Sequence, residues 1–136
     1  MFVELVRTLV LSRHRLDAAW APTANPRLVG WSRVLLRHHL ELVTTLCTSC
    51  AKRAVDARWI ARGLQAMAPL ASWVVSDGKP PPRIRRAWRQ LSQVEDTLLL
   101  PMAALLMTDL DWQALAPRVA ACALWLQSGP QGNIGE

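Results

Sequence analysis

Residues 27–67 form the longest proline-free stretch with a continuous helical pattern, and they limit what this chain can fold into. Apolar residues recur at helical spacing through Val29, Leu36, Leu40, Val43, Cys47, Cys50 and Ala54. A second stripe, Leu28, Trp31, Leu35, Leu42 and Leu46, runs beside the first. Together they cover more than the roughly 100° that one packed neighbour needs. The opposite face carries Arg33, Arg37, Glu41, Thr45, Thr48 and Lys52. A helix of this kind is buried by at least two neighbours on one side and wet on the other, so the chain is expected to be all-α.

The remaining segments repeat the pattern. Phe2, Leu5, Val6, Leu9, Leu16 and Trp20 mark a first helix, closed by Ala21-Pro22. Thr44, Thr45, Thr48 and Ser49 are weak helix formers, so the central stretch reads as two helices, about 27–51 and 54–76, with Pro69 kinking or restarting the second. Asp77-Gly78-Lys79 followed by three prolines is a stiff loop. A fourth helix starts near Pro82, with Ile84, Trp88, Leu91 and Leu98 as its stripe, and Pro101 kinks it or opens a short one. Thr108-Asp109-Leu110-Asp111 reads as the cap and first turn of a last helix, ending near Gln127. The expectation is a single-domain bundle of about five helices over 1–127, centred on Leu35, Leu36, Val43, Leu46, Trp59, Ile60, Leu91 and Leu98. Residues 128–136 are expected to form an unstructured tail. At 136 residues the chain is long enough for one core.

Composition matters mainly for charge. Fourteen Arg and two Lys stand against ten acids, and the charges are segregated. Residues 1–62 carry ten bases and four acids, 63–94 five and one, and 95–136 one and five. Guanidinium groups suit phosphate, which they bind as a planar fork. Arg83, Arg85, Arg86 and Arg89 crowd one helix start with no acid between 79 and 94. Arg33, Arg37 and Lys52 form a second row, and Arg58 and Arg62 a third. A solvated charged surface without a partner is the plain alternative.

Motifs for chemistry are weak. Cys47-x-x-Cys50 lacks the further ligands a structural zinc site needs, and it falls on the apolar stripe. Its order after Glu41 resembles, over a short stretch, the thiol relay of the alkylhydroperoxidase D and carboxymuconolactone decarboxylase families. The resemblance implies redox work by a Glu, a CxxC and a following His, but no His follows Cys50. The cysteines are therefore read as buried, reduced thiols of a reducing compartment. His38 and His39 read as core-edge residues with no evident partner. Glu95 and Asp96 are neighbours that point in different directions. No secretory signal and no span long enough for a bilayer is seen, so the expected place is the cytoplasm.

The expected function is therefore non-catalytic, with no cofactor and no metal. The chain would be a small helical subunit of a nucleoprotein complex, contacting a DNA or RNA backbone without sequence preference. In size, class and charge alone it is similar to the small subunits of CRISPR effector complexes. The rival expectation is a protein–protein interaction module, such as a virus- or plasmid-encoded inhibitor or adaptor. In either case protein partners would use the apolar and Trp faces and the acidic C-terminal third.

Overall fold

A computed structural model describes residues 1–53 and 58–134, without the side chains of Trp59 and 130–134. The described residues form an all-α bundle of five helical rods. They are α1 (Phe2–Ala19), α2 (Arg27–Ala51), α3 (Arg58–Val74), a compound rod, and α6 (Asp109–Ile134). The compound rod comprises α4 (Pro82–Val94), a π-turn (Glu95–Leu99) and α5 (Leu100–Leu106). No strand occurs among the described residues.

Helix α2 is the axis of the bundle, packing against α6, α3 and α1, while α3 packs against α4. Leu35, Leu36, Leu42, Val43 and Leu46 of α2 are wholly buried with Leu5, Leu9 and Leu16 of α1, Leu70 of α3, and Ile84 and Leu91 of α4. The weak helix formers of α2 do not break it. Thr44, Thr45 and Thr48 donate their hydroxyls to the carbonyls of Leu40, Glu41 and Thr44, four residues back, which satisfies them inside the helix. The helix ends at Ala51 with Lys52 and Arg53 in a turn. The start of the expected second helix, 54–57, lies outside the described residues. Helix α3 continues through Pro69.

Of the expected core, Leu35, Leu36, Val43, Leu46, Ile60 and Leu91 are buried. The Trp59 side chain lies outside the described residues. Leu98 is only half-buried, and Leu99 holds its place with no exposure. The π-turn explains the shift. Its i→i+5 bonding adds a residue to the turn, and the Leu100 N–H reaches back to the Glu95 carbonyl. Beyond it the apolar register falls one position late. The widened turn precedes Pro101, which has no N–H for the Thr97 carbonyl and whose ring would crowd it.

Helix α6 opens on a reciprocal cap. The Thr108 N–H donates to the Asp111 carboxylate (2.9 Å), and the Asp111 N–H donates to the Thr108 hydroxyl (3.4 Å). Gly129, at φ 62 and ψ 167, breaks α6 two residues after Gln127. The expectation of an unstructured tail from Ser128 thus meets a helix that runs on to Ile134 beyond this break; 135–136 lie outside the described residues.

Tryptophan supplies much of the cement. Trp20, Trp31, Trp73 and Trp88 are buried, and Trp112 and Trp125 are half-buried. Trp20 meets Trp73 edge-on at 5.3 Å and Trp88 at 5.8 Å, and its indole N–H donates to Ser32 (3.0 Å). Trp31 and Trp125 stack at 6.5 Å. The expected Trp-rich docking face is therefore mostly interior. No helix among the described residues is long and apolar enough to cross a membrane.

Candidate functional site

Helix α4 presents its arginines in a fan. Ile84, Ala87, Trp88 and Leu91 face the core, so at 100° per residue Arg85 and Arg89 fall toward one flank, Arg83 toward the other, and Arg86 points outward. Pro82 at the helix start lacks an N–H that would be unbonded there anyway, which sets a firm beginning for the row. Arg83, Arg86 and Arg89 are exposed, and among the described residues none has a hydrogen bond or ion pair.

Two of the expected cations belong elsewhere. Arg85 is half-buried and donates to the Trp20 carbonyl (2.8 Å), tying α4 to the end of α1. Arg33 lies over the Trp73 ring at 4.8 Å and donates to the Gly78 carbonyl. Gly78 has φ 80, a conformation that favours glycine, and the bond anchors the loop before α4. These two guanidiniums hold the scaffold and do not stand free for phosphate.

The row Arg33, Arg37 and Lys52 also fails to form one surface. Arg37 and Lys52 are exposed, but they are 15 residues apart on or beside α2, about 22 Å along its axis. Arg58 and Arg62 are exposed on α3, each engaged within the chain. Arg62 faces α4 beyond the arginine fan. It lines a cleft of about 430 Å³ with Gln90, Gln93 and Thr97. Arg62 thus faces the C-terminal half of α4 and the π-turn, and Arg83, Arg86 and Arg89 do not line that cleft.

The acidic C-terminal third does not form a free acidic surface. Arg13 donates to Glu95 through Nε (2.9 Å) and Nη2 (2.6 Å) and to Asp96 through Nη1 (2.8 Å). Arg53 pairs with Asp111 at 2.6 Å. Of the described acids beyond residue 95, Asp109 is left without such a partner. Three acids of the C-terminal third are thus neutralised in space by two N-terminal cations, Arg13 and Arg53.

One constellation was not visible in the sequence. The Ser12 hydroxyl lies 2.7 Å from His39 Nδ1, and His39 Nε2 lies 2.7 Å from Glu95 Oε2. All three are wholly buried. The order hydroxyl, imidazole, carboxylate is that of a nucleophile relay, here enclosed in the core with no exposed member. Burial alone would push the Glu95 carboxyl up, but His39 and Arg13 override it and hold it below the usual range. His39 is thus a paired core residue, where the sequence offered it no partner. The signal that could have found Glu95 is its place four residues after Leu91 on the core stripe.

The thiols belong to the same interior. Cys47, Cys50 and Cys122 are free and buried. Burial pushes Cys47 and Cys122 up to about 12 and Cys50 up to about 11. Burial thus disfavours the thiolate form that a relay uses, and no His follows Cys50. Among the described residues no three His, Cys, Asp or Glu side chains are grouped to hold a metal.

No protein-family model matches the chain, and no curated protein or solved structure is detectably similar to it.

Proposed function

We propose that the chain is a non-catalytic helical subunit that contacts a nucleic-acid backbone through the outer face of α4. The observation that carries this reading is the set Arg83, Arg86 and Arg89, exposed and without an intramolecular partner among the described residues, on a segment with no acid from 79 to 94. Most other arginines here have a role in the fold, as Arg13, Arg33, Arg53 and Arg85 do. Three that have none, on one short helix, form a cationic strip that suits a polyanion. With four described tryptophans buried, base stacking contributes little and sequence preference is low.

The test is the triple variant Arg83→Gln, Arg86→Gln, Arg89→Gln. Its affinity for DNA or RNA falls for all sequences alike, and the slope of log K on log salt flattens by about 0.7–0.9 for each phosphate no longer neutralised. No affinity of the wild-type chain for either nucleic acid at low salt overturns the reading. The rival, a protein–protein interaction module, is favoured by Leu105 and Leu110, which stand exposed on either side of the α5–α6 junction.

A further inference from the structure

The groove between α1 and α6 is another place where cations stand without a partner among the described residues. It encloses about 560 Å³ and is lined by Arg7, Thr8 and Arg15 of α1 and by Leu126 and Gln127 of α6. Arg7 and Arg15 are eight residues apart, about 12 Å along the helix and on the same side of it. Neither has a hydrogen bond or ion pair among the described residues. Their neighbour Arg13 shows that this is not the habit of α1: it is held by two carboxylates. The α6 wall supplies no acid, since none occurs from 118 to 129. Glu4, at the N-terminal end of the groove, sits in the first turn of α1, where the helix dipole favours it. The groove therefore offers two guanidiniums, a hydroxyl and a side-chain amide to an anionic chain.

Its position relates it to α4. The Trp88 indole N–H donates to Asp17 (3.2 Å) and Arg85 donates to Trp20, which fixes α4 against one flank of α1. The groove lies on the other flank. Between them is the outer surface of α1, one helix diameter of about 10 Å, with exposed His14 on it and exposed Asp17 at its α4 edge, where the carboxylate accepts from Trp88. A duplex, with a persistence length of about 50 nm, does not turn across so narrow a support. A single strand does.

We infer that the α1–α6 groove is a second backbone-binding site, and that the ligand is one single strand passing from the α4 arginines over α1 to Arg7 and Arg15. This inference rests on the proposed function and deepens it by naming the strand state and the path.

The experiment compares the wild-type chain, the variant Arg7→Gln with Arg15→Gln, and the α4 triple variant. Binding is followed by fluorescence anisotropy at several salt concentrations, with oligothymidylates of about 5 and about 20 nucleotides and a duplex of the longer length. Unchanged circular dichroism and melting temperature confirm that both variants fold. The groove variant is expected to lose affinity for the long single strand, with the salt slope flattened by about 1.4, the value for two phosphates of a single strand. Its binding of the short strand and of the duplex stays at the wild-type level. An unchanged slope in the groove variant, alongside a flattened slope in the α4 variant, overturns the inference and leaves the proposed function standing. An equal loss on the duplex overturns the single-strand path. No binding by the wild-type chain overturns the proposed function, and the inference falls with it.

Discussion

Two regions of this bundle use arginine and hold it in opposite conditions. Inside, Arg13, His39, Ser12 and Glu95 form a closed set of hydrogen bonds with the carboxylate wholly buried. Outside, Arg83, Arg86 and Arg89 stand on α4 with no partner among the described residues. The interior set joins α1, α2 and the π-turn, elements far apart in sequence, so its members fix how the rods are arranged. The α4 set touches nothing that needs it. Charge whose removal leaves the fold indifferent is charge kept for solvent or for a partner, and substitutions can separate the two conditions.

The largest difference is expected from Glu95→Ala. It leaves Arg13 and His39 facing a void in the core without their shared anion. Breaking a buried pair by removing one member costs about 3–5 kcal/mol. Urea unfolding measures this, and a loss below about 1 kcal/mol, the range of a surface pair, would erase the contrast between the regions.

Next in size is the packing that surrounds the ionic set. Leu99→Ala should cost about 2–5 kcal/mol, because the side chain has no exposure and its cavity cannot be filled by water. Leu98→Ala, at a half-buried position, should cost clearly less. The reverse order of melting temperatures would mean that the apolar register is not shifted by the π-turn.

That shift marks the boundary of what the sequence made legible. The five rods, the 76–81 loop, the Thr108 cap and the α2 core all follow from spacing, because a 3.6-residue period and turn chemistry are local. The π-turn is not local in the same way: its extra residue moved the core from Leu98 to Leu99. Glu95 and His39 escaped because a polar residue on an apolar stripe has meaning only once its partner is known, and Arg13 lies 82 residues from Glu95. The arginine fan on α4 was legible as composition. That Arg85 and Arg33 serve the scaffold was not, since their acceptors are the backbone carbonyls of Trp20 and Gly78, which no side-chain pattern encodes.

A smaller effect separates the regions by pH. Glu95 titrates below its ordinary range in the folded chain, so folding is favoured while it is ionised. This contribution is fully present above the unfolded carboxylate value, about 4.3, and is lost as pH falls through the folded value. Asp111, held down chiefly by the Thr108 N–H, loses its contribution in the same acid window. Stability measured from neutral to acid pH should therefore decline below about pH 4.3, and Glu95→Gln should flatten part of that decline but not all of it. The α4 triple variant should keep the full decline. Parallel acid limbs in wild type and Glu95→Gln would mean that Glu95 is not the group responsible.

The smallest expected effect is the most informative about function. Replacing Arg83, Arg86 and Arg89 by Gln removes three positive charges and no hydrogen bond among the described residues. Exposed changes of this kind shift stability within about 0.5 kcal/mol each way. Relief of like-charge crowding between Arg83 and Arg86, and between Arg85 and Arg89, should bias the shift toward stabilisation, since such pairs repel at three- and four-residue spacing. Arg85→Gln supplies the internal control. It lies on the same helix, yet it gives up the bond to the Trp20 carbonyl, and should cost about 1 kcal/mol. Equilibrium unfolding of both variants decides the matter. A triple variant at least as stable as wild type, beside a weakened Arg85→Gln, leaves α4 with cations the fold does not use. A triple variant as damaged as Arg85→Gln would assign the whole fan to the scaffold, and the cationic strip would no longer argue for a bound strand.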